Sequence, residues 1–184
     1  MADEKESDDS LKQQIDFLWE ALKRYDFYIS TTNFKSGLLV SFNTAVFGAI
    51  LLKHSELISL VEGNCITNLV KGLLWVISLL SVASVGCVLK SISPNTKSSS
   101  MPPLATYRSA VFFGSVSTRF SAPQYQDHVK TLNGTEIRDD LAIQAWEVAG
   151  ITKRKFQWLK WASRLILLGM LPFISGLSFL LIVL

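Results

Sequence analysis

The sequence predicts an all-α membrane protein in which three transmembrane helices carry a small cytoplasmic helical bundle. Three observations predict it. Uncharged runs fall at 36–52, 73–89 and 165–184, of 17, 17 and 20 residues, and each is long enough to cross a hydrocarbon core as a helix. Only 18% of the 184 residues are charged and mean hydropathy is +0.31, whereas a soluble domain averages about 25% charged residues. The basic residues are also unevenly placed: residues 90–164 hold 11 against 5 acidic, residues 53–71 hold 2 of each, and residues 1–35 hold 5 against 8.

In chain order, the acidic start M-A-D-E-K-E-S-D-D-S has no apolar core of the kind a cleaved signal peptide needs. Ser10 is a candidate helix cap, and Leu11, Ile15, Leu18, Leu22, Tyr25 and Ile29 then recur at helical spacing. No proline interrupts residues 10–60. One long helix is therefore expected, amphipathic and cytoplasmic over 1–35 and membrane-embedded over about 36–53. Inside this span Gly37, Ser41, Ala45 and Ala49 share one face, where another helix backbone can approach closely. Asn43 stands near the middle, and an amide at that depth requires a partner or a wet cavity.

Glu62-Gly63-Asn64 marks a turn into a second span over about 72–90, which completes a hairpin over 36–90. Lys71 and Lys90 flank the second span, Trp75 sits at its first interface, and Ser78, Ser81, Ala83, Ser84 and Gly86 keep one side small. A polar, proline-containing linker follows to Pro103, then Tyr107–Ser117, whose apolar run fits a short helix or a strand. Pro123 opens a short helix to Leu132, Asn133-Gly134 is a turn, and a long helix starts near Glu136. Lys153, Arg154, Lys155, Lys160 and Arg164, interleaved with Trp158 and Trp161, form a basic aromatic belt ahead of a third span over 161–184. Pro172 should kink that span beside Gly169, Ser175 and Gly176. Because basic loops stay inside, residues 91–160 and the N-terminus are expected in the cytoplasm and the C-terminus outside.

Catalytic chemistry is missing from this pattern. There is no nucleophile elbow, phosphate loop, zincin or dinucleotide fingerprint. Cys65 and Cys87 make no zinc spacing, and one lies in a loop while the other lies in a span. His54 and His128 are isolated in sequence. Asp139 and Asp140 are adjacent, so on a helix they diverge by about 100° and read as helix N-terminal charge rather than an acid–base pair. No enzyme, metal site or cofactor is expected. The basic belt reads first as a topology signal in contact with lipid headgroups and second as a site for an anionic ligand or nucleotide. Duplex nucleic acid is not expected, because the patch is short and lies at the membrane.

Four stretches together carry a resemblance: N-F-K-S-G-L-L-V-S-F-N from Asn33, F-F-G at Phe112–Gly114, D-D-L-A-I-Q from Asp139 and K-R-K-F-Q-W-L-K-W-A from Lys153. Over roughly residues 20–180 the chain resembles the membrane effectors of the bacterial Pycsar systems (pyrimidine cyclase system for antiphage resistance). Family members usually look acidic where this chain has Asn33, while Lys35 follows their pattern. The resemblance implies an inner-membrane defence effector governed by a nucleotide messenger, a cyclic nucleotide or an oligonucleotide. A cognate cyclase or nucleotidyltransferase makes that messenger on infection, and the effector then permeabilises or depolarises the membrane and halts the host in abortive infection.

The residues fit that expectation. Lys35, Arg108, Arg119, Lys153 and Lys155 supply charge to neutralise phosphate, and Tyr107, Phe112, Phe113 and Tyr125 supply rings on which a base could stack. Three spans enclose little pore, so permeation calls for a homo-oligomer, with the face of Gly37, Ser41, Ala45 and Ala49 as a helix contact and Asn43 lining a pore or linking subunits. The alternative is a non-conducting membrane scaffold that anchors a soluble partner through the Leu11–Ile29 stripe.

Overall fold

The computed structural model describes residues 2–63, 66–93 and 109–183. Cys65, the linker from Pro94 to Pro103, Tyr107 and Arg108 lie outside them. Every regular element among the described residues is helical: α1 (Ala2–Val61), α2 (Thr67–Ile92), α3 (Phe113–Arg119), α4 (Ala122–Thr131), α5 (Gly134–Arg164), a π-helical segment (Leu165–Met170) and α6 (Leu171–Val183). Three of these stretches, one within α1, one forming α2 and one running from α5 through α6, are long and apolar enough to cross a membrane.

Local chemistry sets most of the boundaries. α1 begins at Ala2, ahead of the expected cap at Ser10. At the far end Gly63 takes a φ of 87°, a left-handed conformation that glycine adopts without a Cβ penalty, and the chain turns back into α2. The ambiguous run before Ser117 is settled as the short helix α3. Ser121 starts α4 by donating its backbone N–H to Gln124 Oε1 at 2.9 Å, with Pro123 in the first turn. Asn133, expected in a turn, caps α5: its side-chain oxygen accepts the Glu136 N–H at 2.9 Å, and its own N–H donates to the Glu136 carboxylate at 2.9 Å. This is a reciprocal capping box.

The chain divides into two compact units, Met1–Ile29 with Pro94–Lys153, and Ser30–Ser93 with Arg154–Leu184. The first unit packs Leu22 of α1 against Leu141 and Ala145 of α5, with Ile15, Leu18, Tyr25, Ile137 and Val148 around them. The α1 residues among these are those of the amphipathic stripe.

The second unit contains the three spans. Its apolar core is Val61, Val70, Leu74, Ile77, Ile166, Met170 and Leu177. Its outer surface exposes large apolar side chains such as Leu52, Leu79, Leu168 and Ile182, as lipid-facing helices do. Gly169 lets the third span approach the second closely, since a Cβ there would lie 3.2 Å from a Leu80 methyl. Pro172 acts as expected of a helix disruptor, but the backbone answers with a π turn: the Leu171 N–H reaches back five residues to the Ile166 carbonyl. Proline has no N–H to offer and its ring crowds the carbonyl four residues earlier, so the helix widens just ahead of it.

Candidate functional site

In the membrane unit, the side chain that stands out in an otherwise apolar run is Asn43, and it is fully buried. Its amide N–H donates to the Leu39 carbonyl one turn back at 2.7 Å and to Ser84 Oγ of α2 at 3.3 Å. Ser84 passes its own proton to the Ala162 carbonyl of α5 at 3.2 Å. Ser81 shares its proton between the Asn43 side-chain oxygen at 3.1 Å and the Asn43 backbone carbonyl at 3.3 Å. One amide and two hydroxyls thus link all three spans. An amide in lipid has no water to fall back on, so protein partners take its place. A recess of about 230 Å³ between α1 and α2 reaches this network, lined by Asn43, Thr44, Phe47, Ser81, Val82 and Val85.

A second clasp closes the basic end of the same unit. Lys155 Nζ donates to the Ser91 carbonyl at 2.7 Å, and Ser91 Oγ donates to the Lys155 carbonyl at 2.9 Å. Ser91 lies in the last turn of α2, where carbonyls lack helical partners and a cation is favoured. Nearby in sequence, the Arg164 guanidinium lies 5.3 Å from the centre of the Trp161 ring, a cation–π contact within the basic aromatic belt.

In the other unit, Asp140 is 5% exposed. Its two oxygens accept the Ser109 hydroxyl at 2.7 Å and the Ala110 N–H at 2.8 Å. Ser109 Oγ in turn accepts the Phe112 N–H at 2.8 Å and the Gln144 amide at 3.3 Å. Tyr125 of α4 donates its hydroxyl to the Ala110 carbonyl at 2.8 Å. The segment 109–112 is thereby fastened to α5, and it leads directly into a pocket of about 310 Å³ lined by Phe112, Phe113, Gly114, Ser115, Ser117, Thr118 and Arg119. The Phe112 and Phe113 rings are tilted against each other with centres 4.9 Å apart. Ser115 is buried and its hydroxyl has no hydrogen-bond partner.

Of the described residues expected to meet an anion, only Arg119 lines this pocket, together with the expected aromatics Phe112 and Phe113. Lys153 belongs to the same unit and is exposed; Lys35 and Lys155 belong to the membrane unit, Lys35 exposed and Lys155 engaged with Ser91. Tyr125 is committed to the Ala110 carbonyl. Gly37, Ser41, Ala45 and Ala49 are all exposed in the protomer.

Asp140 corrects the sequence reading, which took it with Asp139 as helix-terminal charge. Asp139 is exposed and pairs with its neighbour Arg138 at 2.7 Å, while Asp140 faces inward. Ser109 and Gln144 were not anticipated either. The signal for Gln144 was its place at 4-3-4 spacing in the stripe of Ile137, Leu141 and Val148, where an amide is out of character unless something buried bonds it.

Residues 17–182 match the Pycsar effector protein domain. The chain is 30% identical over 146 residues to the Pycsar effector protein EcPycTM of Escherichia coli, a match covering 79% of this chain and 78% of that protein. No solved structure matches the chain.

Proposed function

The chain belongs to the Pycsar effector family of transmembrane antiphage-defence proteins, and from that premise we propose that it breaches the inner membrane on command of a nucleotide messenger. A cyclase or nucleotidyltransferase partner supplies the messenger, the effector acts as a homo-oligomer, and the resulting loss of membrane potential halts the host before phage replication completes. The N-terminus and residues 91–160 face the cytoplasm in this reading, and the C-terminus faces outward.

The observation that carries the proposal is the Asn43–Ser81–Ser84 network, an amide and two hydroxyls buried among spans that need no polar groups to sit in lipid. The pocket at Phe112, Phe113, Ser115 and Arg119 supports messenger control. It offers ring faces for a base, a guanidinium for phosphate and one hydroxyl with its bonding capacity unused. A ligand seated there would touch a segment tied through Ser109 and Asp140 to α5, the helix that continues into the third span.

The test is electrical. Cells expressing the effector with its cognate cyclase are loaded with a potential-sensitive dye and challenged with phage. Depolarisation that depends on both infection and cyclase is expected. A membrane potential that holds through infection overturns the proposal.

A further inference from the structure

The buried interior of the membrane unit is not uniform along its length. At the end nearer Lys35 and Lys90 it holds Thr32, Ser36, Asn43, Ser81, Ser84 and Ser91, none more than 1% exposed, beside the apolar Val88 and Ala162. Toward the other end it is apolar throughout, with Leu74, Ile77, Ile166 and Met170 at its centre. Helices in lipid do associate through serine and threonine, but adhesion alone gives no reason for those residues to fill one half and be missing from the buried core of the other.

Ser36 sharpens the point. It is 1% exposed and its hydroxyl has no partner. A helical serine has a ready remedy in the carbonyl four residues back, which Ser78 and Ser163 both use, at 2.8 and 3.0 Å. Leaving a buried hydroxyl unbonded is costly, and this penalty disappears in a state where water reaches it. The recess that ends on Asn43 and Ser81 shows where the packing of the polar half is already incomplete.

We propose that, in the homo-oligomer, the packed interior of each membrane unit opens to become wall of the permeation path: the half carrying the buried hydroxyls and amide is the part that wets, and the apolar half around Leu74, Ile77, Ile166 and Met170 is the barrier that keeps it shut. Apolar constrictions gate by excluding water. The polar lining carries no fixed charge, so the permeating species are small monovalent ions passing without strong preference for sign. The inference rests on the membrane-breaching function proposed above and adds the location of its path and its seal.

The full-length protein is reconstituted in vesicles loaded with potassium chloride, and leak is followed without any messenger. Leu74→Asn puts an amide in the barrier, while Leu74→Ala opens comparable space without polarity; Met170→Ser repeats the polar change from another helix. Lowering the barrier to wetting by about 1.4 kcal/mol raises flux about tenfold, so Leu74→Asn or Met170→Ser is expected to leak about ten times faster than wild type and Leu74→Ala to stay near it. Adding Ser81→Ala and Ser84→Ala to the leaky variant should bring the leak back toward wild type. Equal leak from Leu74→Asn and Leu74→Ala, or a leak indifferent to the two serines, overturns the inference. The function fails separately, in cells, if the wild-type protein with its cyclase does not depolarise the membrane.

Discussion

Among the described residues, each unit buries a polar network, and the two are built on different terms. The knot around Asp140 uses a carboxylate, and both of its oxygens are occupied by donors, one a hydroxyl and one a backbone N–H. The network around Asn43 is neutral, and each serine in it keeps a backbone carbonyl as an acceptor, Asn43's own for Ser81 and Ala162's for Ser84. The first is an all-or-nothing structure, because a buried charge and its donors lose everything when one partner leaves. The second can lose its side-chain amide and still have every hydroxyl bonded. That difference suits a fixed anchor in one unit and a rearrangeable contact in the other.

Removing the carboxylate should be the most damaging change. Asp140→Ala strands the Ser109 hydroxyl and the Ala110 N–H in a buried site, and a loss of about 3 kcal/mol is expected. The amides of Ala110 and Phe112 should then exchange with deuterium about a hundredfold faster, since local opening becomes easier by that amount. Asp139→Ala, one residue away, removes only an exposed ion pair and should shift stability by less than about 1 kcal/mol. Similar exchange in the two variants would mean that Asp140 is not the anchor.

These neighbours also show what the sequence could and could not reveal. The three spans are legible because lipid demands unbroken apolar runs, and nothing else in the chain competes with that signal. Asn43 is legible because it interrupts such a run. Asp140 sits in a polar helix beside another aspartate, where an acid is unremarkable, and only the partner segment near Ser109, 31 residues away, gives it meaning. The π turn has the same character: Pro172 announces a disruption, but the sequence does not say that the backbone answers by widening, with the Leu171 N–H reaching back to the Ile166 carbonyl.

The next effect is smaller. Asn43→Leu should leave insertion intact and weaken the association of the spans by about 1 kcal/mol, within the range measured for hydrogen bonds between membrane helices. A double-mutant cycle with Ser84→Ala in a denaturant titration isolates the side-chain bond, and a coupling of about 0.6–1.7 kcal/mol is expected. Ion flux during infection should fall with it, because leucine extends the apolar barrier into the polar half. A variant that titrates as predicted and still conducts fully would separate the network's structural role from any part in permeation.

The smallest effect on the protomer is predicted at Gly37, on the face opposite in character to both networks. A Cβ added there meets nothing within 4 Å, and Ser41, Ala45 and Ala49 continue the same exposed line along α1. Gly37→Leu should therefore leave the unfolding midpoint in detergent unchanged or slightly raised, since glycine costs a helix interior about 0.8–1.0 kcal/mol relative to alanine and leucine ranks close behind alanine. Assembly is a different matter. If copies of the chain meet along this face, their backbones approach only because the side chains are small, and a leucine would hold them apart. Native mass measurement should then show an oligomer for wild type and a monomer for Gly37→Leu at equal protomer stability. A variant that still assembles places the contact between copies on another surface.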